Sequence, residues 1–73
     1  MYKVSMFDMT YMTTAGFETE SLAELVFWIA AKDGIIGGIW HDGKVVEGDE
    51  FKFIVDCVNT TKHYNSCAER YED

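Results

Sequence analysis

Residues 20–34, "ESLAELVFWIAAKDG", contain the start, body and stop of one amphipathic helix, and the other elements must be arranged around it. Ser21 with Glu24 three residues later is the capping-box spacing, in which each side chain satisfies an amide that the first turn leaves unpaired. Leu22, Leu25, Val26 and Ile29 fall at i, i+3, i+4 and i+7, which makes a single buried stripe. Lys32-Asp33-Gly34 closes the segment: the lysine suits the negative end of the helix dipole, and Gly34 suits a left-handed cap. Neighbouring residues on a helix point about 100° apart, so Phe27 and Trp28 do not share the stripe. Trp28 falls at its edge, and Phe27 lies nearly opposite.

A helix with one apolar stripe needs a partner face, and the flanking segments offer a sheet. "YKVSMFDM" (2–9) alternates, with Tyr2, Val4 and Met6 on one side and Lys3, Ser5 and Phe7 on the other, and reads as a strand. "TYMTTAGFETE" (10–20) breaks that pattern with threonines and Gly16; it fits a loop, or a strand that continues and curls before the helix. "IIGGIW" reads as a strand, and Asp42-Gly43 within "WHDGKVV" is a two-residue hairpin turn. That turn sets His41 opposite Lys44, Trp40 opposite Val45 and Ile39 opposite Val46. Glu47-Gly48-Asp49-Glu50 reads as a second turn. "EFKFIVDCV" (50–58) reads as the clearest strand, with Phe51, Phe53, Val55 and Cys57 on one side and Lys52, Ile54 and Asp56 on the other. The helix stripe then covers Ile39, Val46, Phe51, Phe53, Val55 and Cys57. Trp40, Val45 and Ile54 fall on the far face, unless a one-residue bulge intervenes.

These readings assemble into one α+β domain over residues 1–73. Residues 2–58 form a β-α-β-β-β core, with one helix on one face of a small antiparallel or mixed sheet. The tail, 59–73, is a short helix beginning near Asn59 or Thr60, or an ordered extension. A chain of 73 residues with 48% apolar residues and eleven aromatics is rich enough to form a core. No apolar run approaches the roughly 18 residues that span a bilayer. "MYKVSMFDM" lacks the continuous apolar segment of a signal peptide. The expected location is therefore the cytoplasm, without membrane contact, where Cys57 and Cys67 are free thiols by default.

Thirteen acidic residues stand against six basic ones, giving a net charge of −7. Such a surface repels phosphates and attracts cations. Direct nucleic-acid binding is disfavoured, and a protein with a basic surface becomes the expected partner.

Reactive constellations are sparse. Cys57, His63 and Cys67, with His41, supply metal-donor types, but C-x5-H-x3-C is not a zinc spacing and no CxxC pair exists. His41-Asp42 on a turn and His63 near Cys67 complete no nucleophile–base–orienter set. The paired carboxylates Asp49-Glu50 and Glu72-Asp73 lie in a turn and at a terminus. "GIIGG" (34–38) follows the helix, whereas a phosphate cradle leads into one. No metal, cofactor or enzymatic activity is expected. What remains is an excess of large apolar groups: Phe27, Trp40, Tyr11 and Tyr64 are candidates for exposure among carboxylates, the composition of an interaction hot spot. Trp40 and Phe27 are the expected anchors, with Asp42, Glu47, Asp49 and Glu50 as the charged rim.

The succession of "YKVSMF", a polar connection, a capped helix opening "ETESLAEL", "IWHDGKVV" and an aromatic final strand resembles small bacteriophage accessory proteins of the anti-CRISPR and anti-defence type. The resemblance covers about residues 2–58 and rests on layout. It implies a non-enzymatic inhibitor that blocks a host defence or nucleic-acid-handling protein, in some cases by mimicking nucleic-acid charge, and it assigns no functional residues. A structural or regulatory module acting as a homodimer, or as a subunit of a larger assembly, is the alternative.

Overall fold

The computed structural model describes the backbone of residues 1–71 and the side chains of residues 1–64. The elements run β1 (Tyr2–Asp8), β2 (Thr13–Thr19), α1 (Leu22–Ala30), β3 (Gly34–His41), β4 (Lys44–Val45) and α2 (Gly48–Tyr71). The four strands form one antiparallel sheet in the order β2-β1-β3-β4. The fold is α+β, with the helix-bearing face of the sheet against the core.

The segment left open at 10–20 is a strand. β2 pairs along the whole of β1, from Tyr2 opposite Thr19 to Asp8 opposite Thr13. A buried carboxylate organises the connection between them: Asp8 accepts hydrogen bonds from the amides of Thr10 (2.8 Å) and Tyr11 (3.3 Å), and the Lys32 ammonium lies 3.9 Å away. Aspartate binding its own backbone two and three residues on is a recurrent turn former. Met12, with φ of 56°, completes the reversal.

α1 starts as the sequence indicates, with the Ser21 hydroxyl accepting from the Glu24 amide at 3.3 Å. The Glu24 carboxylate accepts from Thr19 rather than from the Ser21 amide, which the Thr19 hydroxyl receives. The stop differs from the expected one. Ala31, in right-handed conformation, is the cap, and Gly34 is not a left-handed residue. Gly34 instead opens β3, pressed so close to β1 that a Cβ there would stand 2.2 Å from the Phe7 carbonyl oxygen. Leu25, Val26 and Ile29 are buried, and Leu22 and Trp28 pack at the margin of the core. Trp28 stacks on Phe17, with ring centroids 5.2 Å apart.

The main correction concerns residues 50–58, which form the first half of α2 and not a strand. The expected turn at Glu47–Glu50 is the start of this helix, with Gly48 at φ of 64° and Asp49 and Glu50 in the first turn, where carboxylates favour the helix dipole. Burial follows the helical period: Ile54 and Val58 are in the core, Phe51 and Cys57 pack against it, and Phe53 is exposed. The alternation Phe51, Phe53, Val55, Cys57 is real in the sequence, but the same residues also contain an i, i+3, i+7 set, and tertiary packing selected the latter. The tail continues this helix. Thr60 and Thr61 donate their hydroxyls to the carbonyls of Asp56 and Cys57, both at 2.9 Å, the back-bonding that lets threonine sit inside a helix. Cys57 is a half-buried free thiol; the side chain of Cys67 lies outside the described residues, as do Glu72 and Asp73.

Both helices therefore occupy one face of the sheet. Val4 and Met6 of β1, Ile39 of β3, Val46, and the inner residues of α1 and α2 form one core. A β-bulge in β3 adjusts this core: Ser5 faces Gly38 and Met6 faces Ile36, so Gly37 is the extra residue. Ile36 and Ile39 lie three apart and would point to opposite faces of a regular strand. The bulge turns both inward. No helix of the described residues is long and apolar enough to cross a membrane.

Candidate interaction surface

Because both helices lie on one side, the other side of the sheet is bare among the described residues. Register defines its rows. Glu18, Lys3, Trp40 and Val45 form one row, Gly16, Ser5 and Gly38 the next, and Thr14, Phe7 and Ile35 the third. Side chains in such rows point to the same face. Ile35 and Val45 are each more than 60% exposed, and the β1–β2 loop adds exposed Met9, Tyr11 and Met12 beyond the third row.

Trp40 is the largest group on this face, and its position is well determined. Asp42 and Gly43 both have positive φ (51° and 82°), the conformation of the tight two-residue hairpin turn. The turn fixes Trp40 opposite Val45 and His41 opposite Lys44, as the sequence reading expects. The indole folds over Gly38, where a Cβ would come within 2.7 Å of the ring. The Lys3 ammonium lies 6.0 Å from the ring centroid. Grooves of about 290 and 370 Å³ flank the indole, the first bordered by Lys3, Glu18 and Asp42, the second by Gly38, Val46, Glu47 and Phe51.

Carboxylates gather at this end of the molecule, and some already have partners. The Met1 amine is hydrogen-bonded to Asp42 and lies 3.8 Å from Glu20. That hydrogen bond holds the Asp42 carboxyl below its ordinary 3.8 and the Met1 amine above its ordinary 8.0. His41, stacked on Tyr2 at 4.1 Å, has its ring nitrogens 3.6 Å from Asp42 and from Glu50. Glu47 and Asp49 are exposed.

The residues singled out from sequence thus separate into two places. Trp40, Asp42 and Glu47 border adjoining grooves, whereas Asp49 and Glu50 lie on the first turn of α2 outside both linings, Glu50 beside His41 on the helix-bearing side. Phe27, 62% exposed, is on the outer side of α1, across the core from Trp40. Among the described residues, neither β2 nor α2 covers it. Sequence reasoning missed Ile35, whose direction depends on the bulge, and Met9 and Met12, which had no periodicity to read. Phe7 was legible from the alternation that groups it with Lys3 and Ser5. Among the described residues, no three His, Cys, Asp or Glu side chains are placed to hold a metal ion. Comparison with protein-family models, curated proteins and solved structures finds no match.

Proposed function

We propose that this protein is a non-enzymatic acidic binder that occludes a basic surface of another protein, with Trp40 as the buried centre of the contact. The observation that carries the reading is the bare sheet face: Trp40 lies there with Phe7, Ile35 and Val45, while both helices are on the opposite side. A flat aromatic with apolar neighbours and a carboxylate margin has the composition of a hot spot inside a polar rim. Asp42 and Glu47 form that margin, and Asp49 and Glu50 on the first turn of α2 add to the acidic field that steers a cationic partner. Phe27 is outside this contact.

The expected partner is a host defence or nucleic-acid-handling protein, and the mode is nucleic-acid charge mimicry. Capture from a bacterial lysate, repeated with Trp40→Ala, tests the reading. A basic nucleic-acid-binding protein retained by the parent and lost with Trp40→Ala is the expected result. Binding should weaken steeply between about 50 and 500 mM salt, where the Debye length shortens to a few ångströms. Affinity that is flat across that range would remove charge mimicry. The bare face also fits a second copy, sheet against sheet. Light scattering that finds a stable dimer disrupted by Trp40→Ala would favour the homodimeric module instead.

A further inference from the structure

β4 is only two residues long. Val46 still donates its amide to the Ile39 carbonyl at 2.8 Å, and then the chain turns away at Gly48 into α2. β3 continues alone from Gly38 back to Gly34. Its inner side is paired with β1, and among the described residues no backbone group is bonded to its outer side along that stretch. An unpaired row of amides and carbonyls is a template for another strand. The bulge at Gly37 shortens what it can pair with, so the edge suits a segment of about four or five residues rather than an open-ended sheet.

The space where β4 would have continued is the groove of about 370 Å³ beside Trp40. Gly37 and Gly38 bring bare backbone to its β3 wall beside the Trp40 indole, and Val46 and Phe51 form its apolar floor. A strand prolonging the line of β4 would pair with the β3 backbone and direct alternate side chains onto that floor. Both ends of the stretch are acidic. Glu47 borders the groove at one end, and exposed Asp33 immediately precedes Gly34 at the other.

We propose that the open edge of β3 is a strand-addition site for a short extended segment of a partner protein, with aliphatic residues at alternate positions and Lys or Arg at both ends. Charge decides against a second copy in this place. Antiparallel self-pairing about Ile36 would set Glu47 of one copy beside Asp33 of the other, like against like. Pairing the β2 edge of one copy with the β3 edge of the next is a head-to-tail contact that propagates into chains of molecules unless its rotation closes a ring. The site is the edge of the sheet; it adjoins the bare face and shares Trp40 and Glu47 with it, but its backbone pairing holds even if the partner of that face is of another kind.

A random heptapeptide library selected against the folded protein tests this. Enriched peptides should carry basic residues at both ends and β-branched or aliphatic residues at alternate positions. N-methylating one alternate set of peptide amides should abolish binding, and methylating the other set should leave it within about twofold, because only one set faces β3. Bound peptide should slow amide hydrogen exchange within Gly34–Gly38 without slowing it in β2. Glu47→Lys and Asp33→Lys should each weaken binding roughly tenfold and leave the circular dichroism unchanged. The inference is overturned if no peptide is enriched, if both methylation patterns are tolerated, or if protection falls on β2. Failure here is separable from failure of the Trp40 contact, because the N-methylation pattern and the Gly34–Gly38 exchange report backbone pairing, which capture through the bare face does not require.

Discussion

Replacing Ile54 and Phe53 separately by alanine gives the sharpest test of how residues 50–58 are used. Ile54 is 1% exposed and Phe53 is 57% exposed, although alternation along the sequence assigns Phe53 to the core and Ile54 to the far face. Ile54→Ala removes three buried carbons, each contributing about 0.8 kcal/mol. The cavity left in the shared core brings the expected cost to about 3 kcal/mol. Phe53→Ala removes a larger side chain that stands mostly in water, and its cost should stay within about 0.5 kcal/mol. A domain of this length has a total stability on the order of 4–10 kcal/mol, so Ile54→Ala should remove a large share of it. Urea unfolding followed by far-ultraviolet circular dichroism measures both variants, and heat should lower the midpoint of Ile54→Ala by about 12–24 °C. If Phe53→Ala proved as costly as Ile54→Ala, residues 50–58 would not pack as the inner face of a helix, and the two-helix core would be wrong.

Three further outcomes are expected. Asp8→Ala should destabilise by about 2 kcal/mol in urea titrations, because the Thr10 and Tyr11 amides lose their acceptor and Lys32 its counter-charge. Gly34→Ala should cost more than about 2 kcal/mol, since its methyl would collide with a backbone oxygen that pairing holds in place; a neutral result would mean that β1 and β3 are not so closely apposed. The Met1–Asp42 contact should appear in the pH profile. The Asp42 carboxyl is depressed, so its contribution is present above 3.8 and lost as pH falls through the depressed value. The Met1 amine is raised, so its contribution is present below 8.0 and lost as pH rises through the raised value. Both halves operate between those limits, and subtracting the low-salt profile of Asp42→Asn should leave a difference that is flat there and declines on either side.

How much of this fold was legible in the sequence depended on whether a local signal had a competitor. Ser21 with Glu24, the stripe Leu22–Leu25–Val26–Ile29 and the turn at Asp42-Gly43 are short-range signals, each satisfied within a few residues, and the register of Trp40 with Val45 followed from the turn alone. The α+β class and the exposure of Phe27 followed from the same local rules. "EFKFIVDCV" offered two periods at once. Strand geometry and helix geometry both gave it an apolar side, and only the groove left beside α1 selected the helical set of Phe51, Ile54 and Val58. Gly34 resembled a helix cap because nothing local could announce that the Phe7 carbonyl would press against it. The bulge at Gly37, which turns Ile36 inward and leaves Ile35 outside, comes from pairing with β1, a strand some thirty residues earlier in the chain. The residues of the interaction surface were therefore visible singly, as an aromatic or a carboxylate. That Trp40 shares a bare face with Phe7 and Ile35, and that Phe27 does not, was decided by both helices packing on the same side of the sheet.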